Sequence, residues 1–195
     1  MKDYLNSWIV QANPEKFYID WFLDEYARNN LNEPDWWVIH KIHKGQICSC
    51  DELFIWKAAS EPSEEHSPEY YNWRESHGQK GKIAGIVARG EVIGYPRNFN
   101  PPLGDLEKFR KYRSVQSWDF DKIKDWQIDC IYKNVQNIRA THPLLKDTIQ
   151  KELTNSQNTP FSSFLSFPRG RRSVKLGHRE ADIIRTLFFE YNVAN

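Results

Sequence analysis

The sequence predicts an α+β fold, a mixed β-barrel flanked by helices, in a single domain spanning residues 1–195. Three observations lead there. The periodic segments run β, α, several β and then α, which suits a mixed barrel better than alternating βαβ layers. The longest β-rich stretch, Lys82 to Tyr95, is crowded with Ala and Gly, as bends, bulges and close backbone approach in a small barrel require. Finally, 195 residues fit one core and leave little room for a second independent fold.

The elements follow in order. Ser7 to Ala12, SWIVQA, sets Trp8 and Val10 on one face and Ile9 and Gln11 on the other, and Asn13-Pro14 stops it, so it reads as a strand. Asp20 precedes Trp21, Phe22, Glu25 and Tyr26 at helical spacing. Asp20 is the expected N-cap of a helix that buries an aromatic stripe and ends near Asn29-Asn30. Pro34 breaks the chain, and Trp36 to Ile39 restarts it as an extended segment. Asp51 to Lys57, DELFIWK, is a second strand. The span from Ser60 to Gly81 holds five Glu together with His66, Tyr70, Tyr71, Trp73 and His77, and reads as a surface insertion. Trp126 to Val135 alternates with period two, while the segment after Pro143 and the stretch Glu180 to Tyr191 have helical spacing.

Composition narrows the function classes. Lys plus Arg is 27 against 26 Asp plus Glu, a formal charge of +1, so a polybasic nucleic-acid coat is excluded and any such contact must rest on local charge. Hydrophobic residues make up only 39%, yet the chain carries eight Trp, nine Tyr and eleven Phe. No apolar run approaches the length of a membrane span, and the N-terminal stretch lacks the order of a signal peptide, so no membrane contact and a cytoplasmic location are expected. The three cysteines, Cys48, Cys50 and Cys130, fit a reducing compartment without a disulfide framework.

Several motifs then occur in a telling order: Trp8 to Pro14 as W-hydrophobic-x-x-x-N-P, a Trp-containing segment about 25 residues later, Asp51 to Ala58 as D-x-hydrophobic-F-hydrophobic-W-K-A, Ala84 to Val92 as A-G-I-V-A-x-G-E-V, and Pro143 to Asp147 as P-L-L-K-D. In order and spacing they resemble the EVE domain family of the PUA-like superfamily, which also holds the YTH, ASCH and SRA-type readers. The resemblance runs from roughly Ser7 to Tyr191, apart from the Ser60 to Gly81 span and the stretch around Asn98 to Phe120. It implies a pseudo-barrel that holds one extruded, modified base in an aromatic pocket and is not itself a catalyst. It also implies a life alone or as the recognition module of a modification-dependent restriction protein. Stacking on aromatic faces and hydrogen bonds to the base edge can offset the few kcal/mol that extrusion costs.

By that resemblance Trp56 and Trp37 are the expected cage walls. Trp36 and Trp37 are adjacent, so in a strand only one of them lines the pocket, with Trp36 the alternative to Trp37. Against this stands ordinary burial of large aromatics in a barrel core. Asn13 and Gln11 carry amides that both donate to and accept from a base edge, although Asn-Pro is also a turn signal. Lys57 and Ser60 fall where the family's strand ends at the pocket rim. Arg169, Arg171, Arg172, Lys175 and Arg179 lie in a stretch, Phe161 to Arg179, without an acidic residue, and are candidate grips on successive phosphates. Here the family often has a Gly-Thr-Asn-like turn, whereas this chain reads Gly170-Arg171-Arg172.

His40, His43, Cys48 and Cys50 stand at spacings that could ligate zinc, but C-x-C is tighter than the usual C-x-x-C. The resemblance aligns this segment with a metal-free strand-turn-strand in which Cys50 replaces a glycine. Neither metal nor cofactor is expected. No triad, paired-carboxylate, P-loop or dinucleotide motif occurs. The sequence therefore reads as a module that binds a modified base by flipping, with modified cytosine in DNA favoured and a methylated RNA base as the alternative. A fused or associated nuclease or NTPase motor would be its partner. A zinc-dependent enzyme, or a protein-interaction module using the aromatic insertion, are the readings from other classes.

Overall fold

The computed structural model describes residues 5–14, 17–29, 34–59, 68–79, 83–98, 111–112, 126–132, 143–155 and 173–190. The strands are β1 (Ser7–Ala12), β2 (Asp35–Ile39), β3 (Glu52–Lys57), β4 (Gly85–Asn98), β5 (Trp126–Tyr132), β6 (Leu144–Leu145) and β7 (Ser173–Leu176). The helices are α1 (Ile19–Arg28), α2 (Pro68–Ser76), α3 (Lys146–Asn155) and α4 (His178–Glu190), with a 3₁₀ turn at Lys41–His43. Among the described residues all seven strands join one sheet in the order β2-β5-β4-β3-β1-β7, and β6 pairs with β4. Among the described pairings only β1 and β3 run parallel; the others are antiparallel. The result is the expected α+β architecture, a curled mixed half-barrel with four helices.

Alternation along β1 and β3 divides the core in two. Trp8, Val10, Ala12, Leu53 and Ile55 face one cluster with Phe22, Leu23 and Tyr26 of α1 and with Ile128, Cys130 and Tyr132 of β5. Ile9, Phe54 and Trp56 face the other, with Leu144, with Ile149 of α3, and with Ile184 and Phe188 of α4. Because both faces of β3 are covered, all six of its residues are buried. Each large apolar side chain sealed this way contributes about 1.5–3 kcal/mol.

The small residues of β4 act as expected. A Cβ on Gly85 would fall 2.5 Å from the Leu144 carbonyl oxygen, so only glycine lets β6 pair there. The register slips between Ile55 and Trp56, where Val87 is the extra residue on β4, and again between Ile93 and Arg97 beside Gly94 at φ 82°. Cys50, which stands where the resembled family has glycine, takes φ 68°, the left-handed region that favours glycine.

Three expectations change. Asp20 is not an N-cap: Tyr18 holds that position, and Asp20 lies inside the first turn of α1. Within the span read as an insertion, α2 buries Tyr70 and Arg74 rather than standing clear of the fold. Strand β7, whose four residues carry only two apolar side chains, arises in what read as a basic stretch because β1 offers it a pairing edge. Residues 133–135 of the expected β5 span lie outside the described residues.

Candidate functional site

Because β1 and β3 are parallel, their C-terminal ends emerge together. Gln11 pairs with Trp56 and Ala12 with Lys57, and the Ala58 N–H donates to the Ala12 carbonyl at 2.9 Å. Beyond Ala12 the chain turns, with the Phe17 N–H donating to the Asn13 carbonyl at 2.9 Å. Gln11 and Trp56 share the face of Ile9 and Phe54, and Ile86 lies across from Trp56 on β4. The indole of Trp56 is 5% exposed, while Gln11 and Asn13 are half-buried at the same end of the sheet. The β-bulge at Val87 of β4 lies opposite the step from Ile55 to Trp56, near the same strand end.

The other face of the same strand ends holds a polar centre that the sequence reading missed. Lys57 turns inward to pair with Asp20, and its ammonium also donates to the Gln79 Oε1 at 3.4 Å. Asp20 further accepts from the Tyr70 hydroxyl at 2.7 Å and from the Trp21 N–H at 3.1 Å. Burial and the Asp20 charge push the Tyr70 phenol well above its usual range. Tyr70 stacks on Tyr18 with ring centroids 4.3 Å apart, and Trp73 and His77 continue the column. Lys57 is therefore not a solvated rim residue: it is spent on Asp20, one residue past Trp56 and so on the opposite face. The pairing of positions 37 residues apart carries no periodic signal in the sequence.

Trp36 and Trp37 both lie in the first cluster. The Trp37 indole N–H donates to the Tyr132 hydroxyl at 3.1 Å, and its ring lies 5.7 Å from Phe17 beneath the turn that follows Asn13. Tyr132 in turn donates to Asp35, and burial with the Asp35 charge raises its phenol well above the usual range. Trp37 and Trp56 thus fall in separate clusters and do not form two walls of one cage. The reason is alternation: Trp56 follows Phe54 to the α3/α4 side, whereas Trp37 belongs to a terminal strand that curls over the α1 side. The structure pairs Gln11 with Trp56, leaves Asn13 two residues beyond Gln11, and packs Trp37 near Phe17.

Lys175 is exposed on β7, its ammonium 5.6 Å from the Trp8 ring centroid. Ser60, Arg169, Arg171 and Arg172 lie outside the described residues. The residues weighed as zinc ligands are otherwise engaged. His43 Nδ1 lies 2.8 Å from the Ser173 hydroxyl, Cys48 Sγ is 3.9 Å from the Gln46 carbonyl oxygen, and Cys50 Sγ is 3.9 Å from the Ser49 hydroxyl. Among the described residues no three His, Cys, Asp or Glu side chains converge as a metal site would need. Among the same residues no helix is long and apolar enough to cross a membrane.

No protein-family model matches the chain, and no curated protein matches it in sequence. Solved structures do match. A hypothetical protein from Leishmania major superposes with a TM-score of 0.53 at 12% identity, over 97% of this chain and 98% of that one. Human THYN1, solved in complex with 5-methylcytosine containing DNA, gives 0.52 at 13% identity over 93% and 96%. The DUF55 domain of human thymocyte nuclear protein 1 gives 0.50 at 15% identity over 93% and 97%. At such identities the likeness establishes the fold alone: this chain has the α+β half-barrel of the THYN1 structures.

Proposed function

We propose that this protein is an EVE-type reader that binds nucleic acid and recognises one extruded, modified base, with modified cytosine in DNA favoured over RNA. The observation that carries the reading is the parallel register of β1 and β3, which puts the Gln11 amide beside Trp56 with Asn13 two residues beyond. An indole and two amides at one sheet end are the side-chain types base capture uses, a ring to stack on and groups that donate and accept, and Trp56, 5% exposed, must be uncovered for a base to reach it. The fold shared with a protein solved on 5-methylcytosine DNA agrees with this assignment. In this reading Trp56 stacks on the base, Asn13 and Gln11 read its edge, and Ser60 lies at the rim. Arg169, Arg171, Arg172 and Lys175 hold the backbone. The module is not a catalyst, and a fused or associated nuclease or NTPase would act on the nucleic acid it finds.

The test is a binding panel of matched DNA and RNA oligonucleotides, unmodified or carrying 5-methylcytosine, 5-hydroxymethylcytosine, 4-methylcytosine or 6-methyladenine, at one salt concentration. One modified DNA should bind tighter than its unmodified match. Trp56→Leu should lower that preference by about 1–3 kcal/mol, the contribution of one base–aromatic stack. Equal affinity across the panel would refute the reading.

A further inference from the structure

The charges of the described residues are sorted. Among the described residues Arg28 pairs with Asp24, Lys57 with Asp20, Arg97 with Asp129 and Lys111 with Glu25, while Arg89 and Arg185 both pair with Glu52. Lys41, Lys44 and Lys175 are exposed and, like Lys151 on α3, pair with no carboxylate among the described residues.

These three gather at one seam. The terminal strands of the sheet, β2 and β7, meet where the His40 N–H donates to the Ser173 hydroxyl at 3.1 Å and His43 Nδ1 bonds the same hydroxyl. The 3₁₀ turn that follows, Lys41–His43, is pinned there by His43, whose ring lies 5.1 Å from Trp8. Lys175 reaches over the same Trp8, and the Lys44 ammonium lies 4.5 Å from the ring centroid of Trp126, which pairs with Ile39 at the end of β2. An indole face orients an ammonium without cancelling its charge, so two of the three cations are held in place and still available to an anion.

We infer that Lys41, Lys44 and Lys175, ordered by His40, His43 and Ser173, form a contact surface for the phosphodiester backbone of the nucleic acid. The inference rests on the reader function proposed above. Lys175 pairs with Trp8, four residues before Ala12. At about 3.3 Å per residue the two positions are roughly 13 Å apart along β1. Lys175 shares the Trp8 face, opposite Gln11 and Trp56, so a single oligonucleotide that reaches both passes around the sheet rather than along β1. The surface carries no base-reading geometry and contributes affinity without sequence preference.

The experiment compares the unaltered protein with the triple variant Lys41→Ala, Lys44→Ala, Lys175→Ala on modified and unmodified oligonucleotides, DNA and RNA in separate arms, between about 50 and 200 mM salt. The triple variant should bind every oligonucleotide of the responding arm more weakly. Its plot of log affinity against log salt should flatten by about 2–3, and the ratio of modified to unmodified affinity should stay unchanged. The triple Lys→Arg variant keeps the charge and should keep the slope, which separates charge from folding. Lys151→Ala, an exposed lysine on α3, should leave the slope as it was. An unchanged slope in the triple Ala variant, or an equal flattening by Lys151→Ala, overturns the surface while leaving the reader intact. If the unaltered protein binds no oligonucleotide at the lowest salt, the reader function and this surface fall together.

Discussion

Lys57 and Asp20 form an ion pair closed off from solvent, with Asp20 fully buried and Lys57 3% exposed. The pair ties the end of β3 to the first turn of α1, and Tyr70 draws α2 onto the same carboxylate. Removing one partner strands a charge in the core. Lys57→Met should therefore cost about 3–5 kcal/mol, whereas adding Asp20→Asn to it should cost less than the two single changes summed. Guanidinium unfolding midpoints of the four proteins in the cycle check this, and strict additivity would contradict a direct pair.

Cys50 stores backbone strain that glycine would release. At φ 68° a side chain costs about 1–2 kcal/mol, against roughly 0.5–1 kcal/mol for the added freedom glycine gives the unfolded chain. Its exposed thiol contributes little packing. Cys50→Gly should raise stability by about 0.5–1 kcal/mol, visible as a higher melting temperature of about 2 °C. A fall in melting temperature would show that the thiol makes a contact worth more than the strain.

What the sequence disclosed and what it hid have physical reasons. Strand β1 and helix α1 could be read because one period governs each: SWIVQA alternates, and Phe22 and Tyr26 fall on one helical face. Helix α2 could not be recognised as packed, since its buried face is Tyr70 and Arg74, and an arginine gives no apolar signal. The pairing of Gln11 with Trp56 depends on β1 and β3 being parallel neighbours, a matter of topology that no local pattern encodes. Lys57 illustrates the limit most directly. Alternation gives its face, but its burial depends on Asp20 and Gln79, 37 residues before it and 22 after it.

The buried tyrosines set an alkaline limit. Burial, with nearby Cys130 and Asp35, pushes Tyr26 up to about 12, and burial with neighbouring carboxylates raises Tyr70, Tyr112 and Tyr132. A phenol whose folded value lies above its unfolded value of about 10 ionises more readily in the unfolded chain. The stability it contributes is complete below pH 10 and is lost as pH rises from there through the folded values. In an ultraviolet titration some of the nine tyrosines should ionise near pH 10, and these four should ionise only together with unfolding. Ionisation of all nine near pH 10 with the fold intact would contradict the burial.

Asn13 separates base reading from turn formation. The turn after β1 is closed by the backbone, with the Phe17 N–H donating to the Asn13 carbonyl, and that bond survives any change of side chain. Asn13→Ala therefore keeps that turn bond, and its melting temperature reads any structural role of the side chain separately from base binding. If the amide reads the base edge, the same change removes a hydrogen bond of about 0.5–1.5 kcal/mol from the modified-base complex and leaves the salt dependence untouched. Asn13→Asp sharpens the test, because it keeps the shape but replaces the donor with a second acceptor. It should weaken the modified-base complex more than Asn13→Ala does. Titrations of both variants on the preferred oligonucleotide and its unmodified match decide the matter: a parallel loss on both oligonucleotides would assign Asn13 to the backbone, and a loss of melting temperature alone would assign it to the turn.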